Sequence, residues 1–260
     1  MKLSPLPECL SPEISKIFAQ PRLQAAMLDL DQLAMLIHNG EEKAICKEWL
    51  HQREEEKLQT LHFEKRHLEW LGGRICAKEA SLHYLQSNHS EASNMGAPHL
   101  QIMSSASGRP FLKPSGLPAD LAMPHISISH SRGYALAVAA SKSCGVDIQA
   151  ESEALLRVKD RFCSRAEEEL LEKGLRQLRP SARLTLLWAA KEAVKKAATL
   201  ERMPGFLDLA LTHIQFTPET GDLFILDSQE SHQVTVCLHQ GYGIGLCVIP
   251  SQPSHGADNA

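Results

Sequence analysis

The sequence predicts a mixed fold of helices packed on antiparallel strands, and three stretches carry that expectation. Residues 41–87 read as helical, carrying Trp49, Leu50, Leu58, Leu61, Leu68, Leu71 and Ile75. His125-Ile-Ser-Ile-Ser-His130 alternates strictly, turns at Ser131-Arg132-Gly133 and returns as Tyr134-Ala-Leu-Ala-Val-Ala, which is the pattern of a β-hairpin. A second long helix spans about 182–199, with no glycine or proline until Pro204, and short strand-like runs follow it.

The totals bound the answer. A chain of 260 residues makes one large domain or two ordinary ones. With 43% hydrophobic and 22% charged residues it is an ordinary globular composition that can bury a sizeable core. A net charge of −4 argues against broad nucleic-acid binding, which needs a positive field to displace counterions. A local basic pocket for a phosphorylated small molecule stays compatible with it. The seven cysteines are odd in number and scattered, with no Cys-x-x-Cys, and so read as reduced thiols rather than a disulfide frame or zinc site. The first residues carry no apolar run suited to secretion, and the small-apolar run 135–140 is too short to span a bilayer. The expectation is a cytoplasmic, soluble protein with no membrane or nucleic-acid partner.

Taken in order, residues 1–20, with Pro5, Pro7 and Pro12, read as a loosely ordered lead-in, and 25–33 as a first strand. The pair Gly72-Gly73 costs a helix about 1 kcal/mol each, so it either bends the chain or permits close approach. Around it stand Lys65, Arg66, Arg74 and Lys78. Two readings fit them: a basic solvated face beside Glu64 and Glu69, or a patch of phosphate donors. Residues 87–98 are polar and read as a loop. A strand over 100–103 leads to a turn at Ser107-Gly108-Arg109-Pro110, and the hairpin described above follows. Ser129 and His130 sit at its mouth. Adjacent strand residues point to opposite faces and no Gly-x-Ser-x-Gly elbow exists, which sets a hydrolase aside. A hydroxyl and an imidazole near Arg109 suit gripping phosphate, and a polar hairpin end that merely faces water fits equally.

Cys144-Gly-Val-Asp147-Ile-Gln149 reads as a strand with Val146 and Ile148 toward the core and Asp147 and Gln149 on the other face. Two oxygen donors so placed form half of a hard-cation site, since magnesium takes about six oxygens, commonly one or two carboxylates plus phosphate and water. Ser164-Arg-Ala-Glu167 is a capping-box signature opening a helix toward Leu178. In the helix over 182–199, with Ser181 read as its N-cap, Trp188, Lys191, Glu192, Lys195 and Lys196 fall in an arc of roughly 140°. Such an arc is ordinarily a solvated face, and Glu192 and Lys196 stand at the i, i+4 spacing that stabilises exposed helices. Packed on the Asp147 strand, however, Glu192 completes the protein's share of a cation site. Residues 207–216, 222–226 and 233–238 read as strands, and Gly241-x-Gly243-x-Gly245 as a turn rather than a dinucleotide loop. The tail 251–260 reads as disordered, and no internal repeat is evident.

The residues now in hand resemble a known family, the 4′-phosphopantetheinyl transferases of the larger, monomeric Sfp type. The matching pieces are Lys65-Arg66-x-x-Glu69-Trp-Leu-Gly-Gly-Arg74-x-x-Ala-Lys78, Gly108-Arg109-Pro110, Ser127-Ile-Ser-His130-Ser, Gly145-Val-Asp147, Arg161-Phe-Cys-Ser-Arg-Ala-Glu167 and Trp188-x-x-Lys191-Glu192-Ala-x-x-Lys196. They occur in the family's order. The resemblance implies two similar α+β halves, 1–140 and 141–250, each a small antiparallel sheet with packed helices, and coenzyme A between them. It implies Mg²⁺-dependent transfer of phosphopantetheine from coenzyme A to a serine of an apo acyl or peptidyl carrier protein, releasing 3′,5′-ADP. Asp147, Glu192 and Lys196 take the catalytic roles, and Asp147, Glu192 and Gln149 the metal. Lys65, Arg66, Arg74, Arg109, Ser129 and His130 take the coenzyme A phosphates. The alternative is a catalytically silent module that binds coenzyme A or a carrier. Gln149 departs from the family, where many relatives carry a glutamate. Its amide oxygen brings no charge, so Gln149→Glu is expected to tighten the apparent Mg²⁺ requirement in a transfer assay; an unchanged or weakened requirement removes that side chain from the site.

Overall fold

The computed structural model describes residues 17–20, 22–114, 121–198, 204–216 and 220–249. Strand β1 (Leu23–Asp29) runs straight into helix α1 (Leu30–His38), because Asp29 caps it by accepting from the Asp31 and Gln32 N–H groups. The expected long helix is three: α2 (Glu42–Trp49), α3 (Gln52–Leu58) and α4 (Glu64–Asn88). The break comes at Leu50, whose backbone is extended, and at His51, whose N–H is taken by Glu54 as α3 restarts. Strands β2 (Leu100–Ser104) and β3 (Pro110–Pro114) form one hairpin; β4 (His125–Ser131) and β5 (Tyr134–Ala140) form the next.

Strand β6 (Cys144–Ala150) opens the second half of the chain. It is followed by α5 (Ala154–Val158), α6 (Arg165–Gly174) and α7 (Pro180–Ala197), then by β7 (Ala210–Phe216), β8 (Gly221–Leu226), β9 (Ser231–His239) and β10 (Tyr242–Val248). Among the described residues every strand pairing is antiparallel, in sheets ordered β1-β5-β4, β6-β10-β9-β8-β7 and β2-β3. The fold is therefore α+β, with α4 laid on the first sheet and α7 on the second. Apolar side chains fill three places: beneath α4, beneath α7, and between the two sheets, where Leu136, Val146 and Ile244 meet. Ile17 and Phe18 are buried in that shared core, so the end of the expected loose lead-in is anchored; the rest of it and the tail 251–260 lie outside the described residues.

Glycines set how closely the two long helices approach their sheets. Helix α4 runs unbroken through Gly72 and Gly73, so of the two readings close approach holds. A methyl group on Gly72 would overlap the Leu30 side chain, and one on Gly73 would lie 3.0 Å from Ile128. On the other side a methyl on Gly145 would strike the Ala193 carbonyl, and on Gly245 it would lie 2.8 Å from the Ala189 carbonyl. This corrects the reading of Gly241-x-Gly243-x-Gly245 as a turn. Only Gly241, with φ of +81°, turns the chain; Gly243 and Gly245 lie inside β10 beneath α7. The expected N-cap is also corrected. Helix α7 starts at Pro180, a residue that needs no donor there, and Ser181 instead donates to Glu151 at 2.5 Å.

Three interactions occur twice, which overturns the absence of an internal repeat. In the first half the fully buried Lys78 donates to Glu54 and to the Trp49 carbonyl, and Glu54 accepts the Ile102 N–H. In the second the fully buried Lys191 donates to Glu167 at 2.6 Å and to the Phe162 carbonyl, and Glu167 accepts the Leu211 N–H. Trp49 to Phe162, Glu54 to Glu167 and Lys78 to Lys191 are each 113 positions apart. Gly145→Ala is expected to cost about 3 kcal/mol or more, since the obstacle is backbone. Gly96→Ala, which meets only ordinary contacts of 3.7 Å, should stay within about 0.5 kcal/mol. Urea denaturation of both variants checks the contrast.

Candidate active site

Gly145, Asp147 and Gln149 share the face of β6 that α7 covers, and the glycine floor draws that helix close. Asp147 is buried and receives two hydrogen bonds on the same oxygen. Ser129 Oγ, from β4, donates to Oδ1 at 2.7 Å, and Lys196 Nζ, from α7, donates at 2.7 Å. Lys196 also donates to the Val146 carbonyl at 3.0 Å, so its ammonium is held against β6. Burial pushes the Asp147 carboxyl above the ordinary aspartate range; Lys196 and Ser129 oppose that shift, and the charge of Glu192 adds to it. Two acids separated by 44 intervening residues thus lie near enough for one to feel the other's charge.

Glu192 is half-buried and accepts from Lys195 at 3.3 Å, while the Lys195 ammonium lies 4.2 Å from the centre of the Phe206 ring. Gln149 is half-buried, with its amide nitrogen donating to the Ala150 carbonyl at 3.0 Å. The donor set is therefore oxygen alone: two carboxylates and an amide. That chemistry suits a hard cation such as Mg²⁺. Among the described residues no three His, Cys, Asp or Glu side chains are gathered as for a metal. A cation held by Asp147 and Glu192 would complete its shell with water or phosphate oxygens.

The basic residues divide into two groups. Lys65, Arg66 and His130 line one open depression with Phe63, Glu69 and Trp70, and His130 Nδ1 lies 3.5 Å from Glu69. Lys65 is exposed and stands 3.8 Å from the same carboxylate. Arg74, Arg109 and Ser129 are held by the protein itself. The Arg74 guanidinium stacks 4.6 Å over Trp70 with Nε 3.6 Å from Glu54, and burial lowers its pKa. Arg109 donates to Ser143 Oγ at 3.3 Å and to the Ala198 carbonyl, tying the β2–β3 turn to the end of α7.

The charged arc on α7 is likewise divided. Glu192, Lys195 and Lys196 reach the site, but Lys191 is turned into the core beneath the Phe162 and Phe206 carbonyls. Complete burial corrects the placing of Lys191 on a solvated arc and removes Lys78 from both the solvated face and the patch of phosphate donors. Partner position explains it: each lysine meets a glutamate already fixed at the start of a helix. The signal was present, because Ala77-Lys-Glu-Ala80 recurs as Ala190-Lys-Glu-Ala193.

A known protein family matches this same region. Residues 143–247 match the 4′-phosphopantetheinyl transferase superfamily. The match begins just before β6 and ends in β10, so it contains Asp147, Gln149, Glu192 and Lys196. The chain is 37% identical over 73 residues to a holo-[acyl-carrier-protein] synthase of Geobacillus sp. (strain WCH70). That segment is 28% of this chain and 57% of the relative, so the chain spans little more than half of the curated relative's length. A crystal structure of a holo-ACP-synthase from Plasmodium yoelii aligns with a TM-score of 0.37 at 18% identity, covering 45% of this chain and 90% of that one.

The buried pair makes a stability prediction. Lys191→Met leaves the Glu167 carboxylate buried without its cation and should cost about 3–5 kcal/mol. Glu192→Gln, at a half-exposed position, should cost less than about 1 kcal/mol. Denaturant melts of the two variants test the division of the arc.

Proposed function

We propose that the chain transfers 4′-phosphopantetheine from coenzyme A to a serine hydroxyl of an apo acyl or peptidyl carrier protein, releasing 3′,5′-ADP. The observation that carries this reading is the Lys196 hydrogen bond to the buried Asp147, whose pKa the charge of Glu192 also raises, all within the segment that matches the transferase superfamily. The two-fold recurrence of the Lys–Glu tie within one chain supports the larger Sfp type, which carries both halves on one polypeptide, and the same proposal takes it to act as a monomer in the cytoplasm.

In this reading Asp147 and Glu192 hold Mg²⁺, with Gln149 or a water as a third donor. The ion, when bound, neutralises the pyrophosphate charge. Lys196 takes the role of stabilising the oxygen of the leaving phosphate, where negative charge grows as the bond to phosphorus breaks. The serine oxygen forms the new bond to that phosphorus, and its proton passes to Glu192 directly or through a water. Lys65, Arg66 and His130 offer cationic and hydrogen-bonding groups for the phosphates that do not react. The Glu69 carboxylate stands near both His130 and Lys65, at 3.5 and 3.8 Å.

Incubating an apo carrier protein with coenzyme A and Mg²⁺ tests this directly. Mass spectrometry should show the carrier gaining one phosphopantetheine, and Asp147→Asn or Lys196→Met should slow the gain by about 100-fold or more. Coenzyme A or carrier binding without any mass gain, over a panel of apo carriers, would instead assign the silent binding module.

A further inference from the structure

The two sheets meet along β4 and β6 by an unusual row of contacts. Ser127, Ser129 and Ser131, alternate residues of β4, each turn a hydroxyl toward β6. They accept the N–H groups of Val146 at 3.0 Å, Ile148 at 3.2 Å and Ala150 at 2.9 Å. Serine oxygens here take the place that carbonyl oxygens hold in a sheet, so the seam between the halves is a ladder of side chains. The strand period of two makes this consistent, since every second residue faces the same way.

One rung does more than the others. A hydroxyl has a single proton to donate. At Ser129 the Ile148 N–H occupies an acceptor position, and the proton is directed to Asp147 Oδ1 at 2.7 Å. Ser129 is also nearly inaccessible, at 5% exposure, so its hydroxyl is in no position to grip a bulky anion from solvent. We infer that Ser129 is a positioning residue for Asp147: a side chain of the first half fixes the orientation of the second half's metal-binding carboxylate. With Ser129 and Lys196 both on Oδ1, the carboxylate is held from two sides and its plane is set before any cation arrives. This rests on the transferase reading for the use of Asp147, but the geometric claim concerns Ser129 alone. It also gives the seam a function, because displacing β4 from β6 would release the acid.

Ser127 supplies the control, since it makes the same seam bond from the same strand face. Ser129→Ala and Ser127→Ala are compared by thermal melting, by calorimetric Mg²⁺ titration of the free protein, and by transfer kinetics with varied Mg²⁺ and coenzyme A. Ser129→Ala should weaken Mg²⁺ binding about ten-fold or more, the size of a lost hydrogen bond to a charged group. At saturating Mg²⁺ the KM for coenzyme A should stay unchanged in that variant, and Ser127→Ala should leave Mg²⁺ binding as in the wild type. Ser129→Cys, which fills the same site with a weaker donor, should fall between and carries the comparison should the alanine variant not fold. Equal Mg²⁺ binding in both alanine variants overturns the inference, and so does a raised coenzyme A KM with Mg²⁺ dependence intact. A wild type that binds Mg²⁺ but modifies no carrier sinks the transferase reading instead, while the calorimetric comparison still decides the role of Ser129.

Discussion

The close packing of α7 on β6 and β10 is the constraint from which the site follows. Gly145 and Gly245 leave room for the helix backbone itself, with the Ala189 carbonyl less than a van der Waals contact from where a side chain would begin. At that separation a lysine on the helix reaches a strand carboxylate and the strand's own carbonyl together, as Lys196 does with Asp147 and Val146. Were the helix held off by even one methyl layer, the Asp147 carboxylate would lose the ammonium that offsets its burial. The energetic logic is that of any buried charge: tolerable only with partners fixed in place.

The duplication shows how such a site is supported and what distinguishes its two versions. Both halves tie their long helix with a buried lysine and a glutamate that also caps a shorter helix and binds a strand N–H. After each lysine comes a glutamate, Glu79 or Glu192, followed four residues later by a basic group, His83 or Lys196. Glu79 and His83 lie 3.4 Å apart and pair with each other. Strand β1 offers them no acid before Asp29, which is engaged in capping α1. In the second half Asp147 stands beneath the helix and takes Lys196, while Glu192 pairs with Lys195 instead. The same scaffold carries a half-buried His–Glu contact on one side and a candidate cation site on the other.

Local patterns were legible in the sequence where period and chemistry agreed. The β4–β5 hairpin, the β6 alternation, the Ser164–Glu167 capping box and the strands after α7 all carried their signals within a few residues. The break between α2 and α3 was not legible, because Leu50 continues an apolar pattern and the signal that ends the helix is the recapture of His51 by Glu54. Lys78 and Lys191 could not be placed from helical angles, since their partners come from elements 24 positions earlier in each case, Glu54 and Glu167. Gly243 and Gly245 read as a turn because the space above a strand is invisible in its own sequence. Motif order pointed at Asp147, Glu192 and Lys196 together, but only packing reveals Ser129 and Val146 as part of their setting.

The claim that most needs a direct answer is that Asp147 and Glu192 hold one and the same cation. A crystal structure of the full chain with coenzyme A and Mn²⁺ in place of Mg²⁺, using the anomalous signal to locate the metal, decides it. A single peak bonded to oxygens of both side chains and to the coenzyme A pyrophosphate is the result expected here. A metal bound away from either carboxylate, with Lys196 still bridging Asp147 and Val146, would contradict it.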